Sequence, residues 1–202
     1  MKNMLFTAAF VFCGIMIAQS QEFSLGPSIG INTAWLQDAP GETNGLIGLN
    51  AGLTLVYSTE EHWGIGMDLK YSAEGVETEL RGSKAQTHLN YARIPVKFIY
   101  FFNDFGNDFR PKIYLGPSLG ILTGGKTEQF LEVGTNKVDS KDLYEDIDLG
   151  LTFGTGFNYR VAPGTWLNLD LAYGHGFTDI AKFGNNVYNR NLSLNVGLAW
   201  GL

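Results

Sequence analysis

Alternation of apolar and small residues, strand-like segments of membrane length and connections that alternate long and short predict one fold class. It is all-β, an eight-stranded antiparallel up-and-down transmembrane β-barrel. Residues 149–159, LGLTFGTGFNY, show the pattern: Leu149, Leu151, Phe153, Phe157 and Tyr159 alternate with Gly150, Thr152, Gly154, Gly156 and Asn158. A period of two is that of a β-strand, whose successive side chains point to opposite faces. A soluble strand carries charge on its wet face, whereas here that face is mostly glycine. Glycine makes up 26 of the 202 residues, against a usual share of about 7%.

The chain opens with Lys2, an apolar block from Met4 to Ala18, and small residues at Ala18–Ser20. That order is a secretory signal, too short to span a membrane. Residues 1–20 are therefore expected to be removed, leaving one barrel domain over 21–202 that starts at Gln21. The sole cysteine, Cys13, lies in the leader, so no disulfide or lipid anchor is expected.

The elements follow in order. The first strand sets Phe23, Leu25, Ile29, Ile31 and Trp35 against Ser24, Gly26, Ser28, Gly30 and Asn32; the second sets Ile47, Leu49, Leu53, Leu55 and Tyr57 against Gly48, Asn50, Gly52 and Thr54. In the third, Trp63, Ile65, Met67, Leu69 and Tyr71 oppose Gly64, Gly66, Asp68, Lys70 and Ser72. The fourth is HLNYARIPVKFIYFF, and the fifth alternates Ile113, Leu115, Leu119 and Ile121 with Tyr114, Gly116, Ser118 and Gly120. The sixth is LGLTFGTGFNY; the seventh carries Leu167, Leu169, Leu171 and Tyr173, and the eighth Leu192, Leu194, Val196, Leu198 and Trp200. Most run about 10–13 residues, the length of a tilted membrane strand. No convincing helix is expected after the leader.

Length decides the faces. An eight-stranded barrel has an interior only just wide enough for side chains to fill, so the bulky face must meet lipid and the small face the lumen. Trp35, Tyr57, Trp63, Tyr71, Tyr159, Tyr173 and Trp200 fall near strand ends, as aromatic girdles do. Long connections are expected at 36–45, 75–86, 124–145 and 175–189 and short ones at 58–61, 103–110 and 161–164. Long loops belong outside and short turns in the periplasm, which puts both chain ends in the periplasm.

Other functions find little support. With 20 acidic against 14 basic residues, nucleic acid is not the expected partner. GILTGGKT, residues 120–127, matches the phosphate-loop pattern, but that loop needs a helix opening at its Lys inside an α/β sheet; a strand end and loop start are expected instead. His62, His88 and His175 are dispersed, and no catalytic triad or metal site is expected. His88, His175, Asp139 and Ser140 near one rim keep an outer-membrane enzyme as a minor alternative. NLS at 191–193 sits in a strand, where a glycosylation match is incidental.

Several segments also resemble a family. LNYARIPVKFIYFF is similar to its Leu-x-Tyr-x-x-Ile-Pro strand, YLGPSLGILTGG to its Gly-Pro-Ser-x-Gly strand and NRNLSLNVGLAWGL to its closing strand. These are the porin-family or outer membrane protein β-barrel domain proteins, eight-stranded outer-membrane barrels of the Bacteroidetes type that include PorT-like proteins. The resemblance spans 21–202 and implies architecture more than activity. Arg93 stands where the family often has Glu or Gln.

The expected function is that of an integral outer-membrane barrel, non-enzymatic and without a cofactor, which meets outer-membrane lipid and exposes four loops for surface binding, adhesion or envelope structure. A PorT-like accessory role in secretion is the runner-up, with envelope proteins as partners. A soluble lipid-carrying barrel is a third reading, requiring a greasy interior and a charged exterior. The lumen should hold a plug of charges: Asp68, Lys70, Arg93, Lys97 and Asp170. If Glu74 faces Thr87, antiparallel pairing sets Asp68 opposite Arg93. An inward Arg93 then requires either an inward Tyr91 or a bulge, for which Pro95 is the expected place.

Overall fold

A computed structural model describes residues 23–59, 61–80, 83–131, 134–184 and 186–202. The expected leader and the start at Gln21 lie outside the described residues. Eight strands form a closed ring: β1 (Phe23–Gln37), β2 (Glu42–Ser58), β3 (Trp63–Leu80), β4 (Ser83–Phe101), β5 (Phe109–Leu131), β7 (Ile147–Ala162), β8 (Thr165–Gly176) and β9 (Tyr188–Gly201). Each pairs antiparallel with the next, β5 with β7 across an excursion, and β9 pairs back onto β1. Closure leaves the ring no free edge. The excursion holds β6 (Gly134–Asp139), paired to β5 alone, and α1 (Ser140–Leu143), a single turn whose N-cap Asp139 accepts from the Lys141 backbone N–H.

The alternation sorts the two faces as expected. Leu49, Leu53 and Leu69 are 63%, 50% and 55% exposed, while Asn50 and Asp68, on the other parity, are 4% and 2% exposed. This arrangement is the reverse of what a soluble lipid carrier needs. Trp63, Tyr57, Tyr159 and Trp200 lie at the end where the short turns are, and Trp35 and Tyr173 lie toward the other, their rings 6.1 Å apart. Both ends of the described chain sit at the turn end, Leu202 donating its N–H to the Phe23 carbonyl.

At the opposite, hairpin end the expected long connections are largely strand. β3 and β4 keep pairing up to Leu80 and Ser83, and β5 runs on to Leu131 before β6 folds back on it. Residues 36–45 shrink to a turn over 38–41, where Asp38 and Gly41 take positive φ; among the described residues 177–184 and 186–187 make the long irregular connection. Cross-strand hydrogen bonding beyond the membrane costs nothing that a solvated loop would save, so the alternating sequence simply continues as hairpin. The GGKT stretch is accordingly mid-strand, not a loop start, and no helix opens at Lys126.

One expectation about β4 is corrected, and of two alternatives for Arg93 the inward Tyr91 is the one adopted. Glu74 faces Leu89, not Thr87, so Lys70 is opposite Arg93 and Asp68 lies two residues out of register with it. Pro95 is not bulged: the inward parity runs unbroken through Leu89, Tyr91, Arg93, Pro95 and Lys97, and Tyr91 is fully buried. The irregularity falls on β5, where Thr123 is passed over between the pairs Asn90–Gly124 and Tyr91–Leu122, its hydroxyl donating to the Asn90 carbonyl.

Candidate functional site: the lumen

The glycines of the inward face are seats. A Cβ on Gly154 would come within 2.5 Å of the Tyr114 ring, on Gly120 within 2.7 Å of the Arg93 guanidinium, on Gly156 within 2.8 Å of Asp170 Oδ1, and on Gly48 within 2.7 Å of Asn32 Oδ1. In each case the glycine is the direct cross-strand partner of the large residue. A lumen this narrow accommodates a long side chain by removing the one beside it. The Asn32 oxygen named here has no conventional donor among the described residues; the glycine Cα–H faces it, a weak but recurrent contact.

Three layers stack along the axis. At the hairpin end Leu36, Val76, Leu89, Tyr91 and Leu122 of the wall close around Ile180 and Val187, with Tyr144 and Ala181 packed against them. The chain before β7 and the segment 177–187 form this cap together, Glu145 N–H donating to the Ile180 carbonyl at 2.9 Å and Lys182 N–H to that of Leu143 at 3.0 Å. Burial pushes the Tyr144 phenol above its ordinary range, partly offset by its hydrogen bond with Thr87. At the turn end Val56, Ile99, Phe101 and Tyr114 form a second apolar layer. Below it Arg110 stacks 3.8 Å from the Phe101 ring and donates to the Asn103 and Glu61 carbonyls.

Between the apolar layers lies the charge. In the tier nearest the hairpin end Arg93 clasps Glu74 with two hydrogen bonds, of 2.7 and 2.8 Å, and reaches Asp148 at 2.9 Å; Asn189 donates to both carboxylates, and Ser72 donates to Glu74. Arg93 also lies 4.5 Å from the Tyr91 ring. In the next tier Lys97 and Lys70 both hold Asp68, at 2.7 and 2.9 Å, and Lys112 bridges Asp170 at 2.9 Å and Asn158 at 2.8 Å. The charges balance: Lys70, Arg93, Lys97 and Lys112 against Asp68, Glu74, Asp148 and Asp170. A cavity of about 70 Å³ remains beside them, room for a few waters.

Of the five residues expected here, Asp68, Lys70 and Lys97 form one cluster, while Arg93 and Asp170 bind partners that sequence reasoning passed over. Arg93 meets Glu74 and Asp148 in place of Asp68. Parity could have found Asp148 and Lys112, each two residues from a recognised inward position, Gly150 and Tyr114. Both were lost because the strands were started one residue too late. Alternation alone ends the third strand near Glu74 and expects a loop over 75–86, of which 75–80 and 83–86 are strand.

The candidate catalytic groups do not converge. Ser140 donates to the backbone carbonyl of His88, His62 bonds the Phe101 carbonyl and Asp104, and the His175 ring packs on Tyr173 and Phe177. Among the described residues no three of His, Cys, Asp or Glu are grouped to hold a metal ion, and no helix is long and apolar enough to cross a membrane, which says nothing of a barrel.

Similar folds are known. The outer membrane protein OprG from Pseudomonas aeruginosa superposes with a TM-score of 0.55 at 13% identity, over 91% of this chain and 96% of that one. Neisserial surface protein A gives 0.49 at 16% over 89% and 97%, and Ail, the attachment invasion locus protein of Yersinia pestis, 0.49 at 13% over 89% and 99%. At 13% identity the likeness to OprG is one of fold. No curated protein matches in sequence. The family model of the outer membrane protein beta-barrel domain matches residues 17–182, and with the closed ring and lipid-ready exterior already described, the chain belongs to that family of the outer membrane.

Proposed function

We propose that this protein is a non-conducting, non-enzymatic barrel that stands in the outer membrane with its hairpin end outward and uses its hairpins to bind a partner at the cell surface. The observation that carries this reading is the sealed lumen: two apolar layers enclose four acids matched by four bases. An ion or solute crossing it would have to break buried ion pairs, each costing about 3–5 kcal/mol when one partner is left alone. Surface presentation is supported by the hairpins β3–β4 and β5–β6, which carry strand pairing past the ends of β7 and β8, with Phe130 and Phe183 exposed. The leader and the periplasmic position of both chain ends belong to the same reading.

Two measurements test it. In planar bilayers the purified barrel should leave conductance at the level of the bare membrane; a defined, reproducible channel would overturn the sealed state. In intact cells a membrane-impermeant maleimide should label Lys137→Cys, and should label Asp104→Cys only after lysis; the reverse would overturn the orientation. Crosslinking on intact cells then identifies the partner. A list confined to periplasmic secretion components would replace surface binding with a PorT-like role.

A further inference from the structure

Each cation of the two charged tiers has a carboxylate, and Arg110 below them donates to backbone carbonyls and stacks on Phe101; Arg190, on the outside of the wall, has no carboxylate among the described residues. Its neighbours on β9 fix its direction. Asn189 hydrogen-bonds Glu74 and Asp148 in the lumen, and Asn191 lines the lumen cavity, so Arg190 between them faces outward. It is nevertheless only 6% exposed. One guanidinium nitrogen, Nη1, donates to the Gly176 carbonyl at 2.7 Å and to its neighbour's, Asn189, at 3.0 Å. Nε and Nη2 have no partner among the described residues and are not sealed in. A charge largely withdrawn from water and unpaired is costly, and here it sits where a membrane could supply the missing anion.

Its position is specific. In the pairing across β1, β9 and β8, Arg190 lies directly between Trp35 and His175. The Tyr188 ring lies 5.9 Å from the guanidinium, and the His175 ring packs at a tilt between Tyr173 and Phe177. This is the aromatic band of the hairpin end, on the low side of the rim where β8 stops at Gly176. Amphipathic rings mark the headgroup level, and guanidinium is the side chain best shaped to hold a phosphate by two hydrogen bonds.

We infer that Arg190, flanked by Trp35 and His175, binds the phosphate of an anionic lipid in the leaflet around the hairpin end. Two carbonyls fix the guanidinium through Nη1, leaving Nε and Nη2 as the pair of donors for phosphate oxygens, while the aromatic rings take the glycerol and upper chain region. The tie would hold the low rim at headgroup depth. It is independent of which side of the outer membrane that rim faces.

The test uses the full-length folded barrel in mild detergent, titrated with phosphatidylglycerol or phosphatidylcholine and read by native mass spectrometry. One charge near an anionic surface is worth about a five-fold preference, so phosphatidylglycerol should be retained about five-fold more than phosphatidylcholine. That preference should vanish in Arg190→Gln and survive in large part in Arg190→Lys, with the heat-modifiable gel band confirming that each variant is folded. Equal retention of both lipids, or a preference unchanged in Arg190→Gln, would overturn the inference. Inorganic phosphate is the third arm: if it displaces the lipid at millimolar concentration, the site takes its phosphate from solution and the assignment to a lipid fails. If Arg190→Gln does not fold, Arg190→Met, which keeps a long side chain in the wall without the charge, carries the comparison and should abolish the preference as well.

Discussion

Around the lumen β3, β4 and β5 form one arc of the wall and β9, β1 and β2 the next, and the two arcs solve the same filling problem with opposite chemistry. The first side sends in Asp68, Lys70, Glu74, Arg93, Lys97 and Lys112, tied by ion pairs of 2.7–2.9 Å to each other and to Asp148 and Asp170. The second sends in no charge: between the apolar layers to which it gives Leu36 and Val56 it presents Ser, Thr, Asn and Gly such as Ser28, Gly30, Asn32, Asn50 and Asn195, and the Asn50 and Asn195 carboxamide oxygens have no donor among the described residues. Buried charge is stable only while every partner is present, whereas a neutral amide with an unfilled acceptor loses little when it is removed. The charged side therefore fixes the barrel, and the neutral side accommodates it.

The largest expected effect breaks that comparison at its hub. Arg93→Ala should cost about 3–5 kcal/mol in urea unfolding from liposomes, because it strands Glu74 and Asp148, whereas Asn50→Ala should stay within about 1 kcal/mol. Equal losses would erase the distinction between the sides. The same measurements decide the register: a double-mutant cycle on Glu74 and Arg93, or on Asp68 and Lys97, should show coupling of about 0.5–3 kcal/mol, and one on Asp68 and Arg93 markedly less.

Next in size is the outer face. Leu194→Arg, on the strand that also bears Asn195, should cost about 2–4 kcal/mol near the bilayer midplane. A negligible cost would place that residue outside the hydrocarbon. Smaller again is the loss of a seat: Gly154→Ala drives a methyl into the Tyr114 ring and should cost about 1–3 kcal/mol, while Gly124→Ala, with nothing within 4 Å, should change stability by no more than about 0.5 kcal/mol.

The smallest effect lies beyond the membrane. The hydrogen bond from Lys137, with its charge, holds the exposed Glu128 carboxyl below its ordinary value. A depressed carboxylate contributes above the unfolded pKa and loses that contribution as pH falls through the folded one. Lys137→Met should therefore move the Glu128 titration, followed by carbon NMR shift, back up toward the ordinary carboxylate range. No movement would show that the β5–β6 hairpin does not hold these two side chains together.

Much of this was legible from single residues. Period-two alternation assigned the faces of seven of the eight ring strands, because a lipid exterior and a narrow interior act on every position of a strand independently; in β4, where Leu89 and Tyr91 share parity with Arg93 and Lys97, it left two choices open. The charged residues Asp68, Lys70, Arg93, Lys97 and Asp170 were readable as inward for the same reason. Strand ends were not readable: Glu74, Lys112 and Asp148 sit where alternation fades into polar sequence, and hydrogen bonding to a neighbouring strand alone decides whether such a stretch is loop or ladder.

The amino-acid sequence by itself determined the class, the strand count of the ring and the inside-outside assignment, all of them consequences of local side-chain volume and polarity. Tertiary structure decided who meets whom. A shift of two residues between β3 and β4 preserves every face and leaves the alternation untouched, yet it moves Arg93 from Asp68 to Glu74 and Asp148. Only the summed fit of long side chains over the glycines beside them, with each buried charge paired, distinguishes one register from the other.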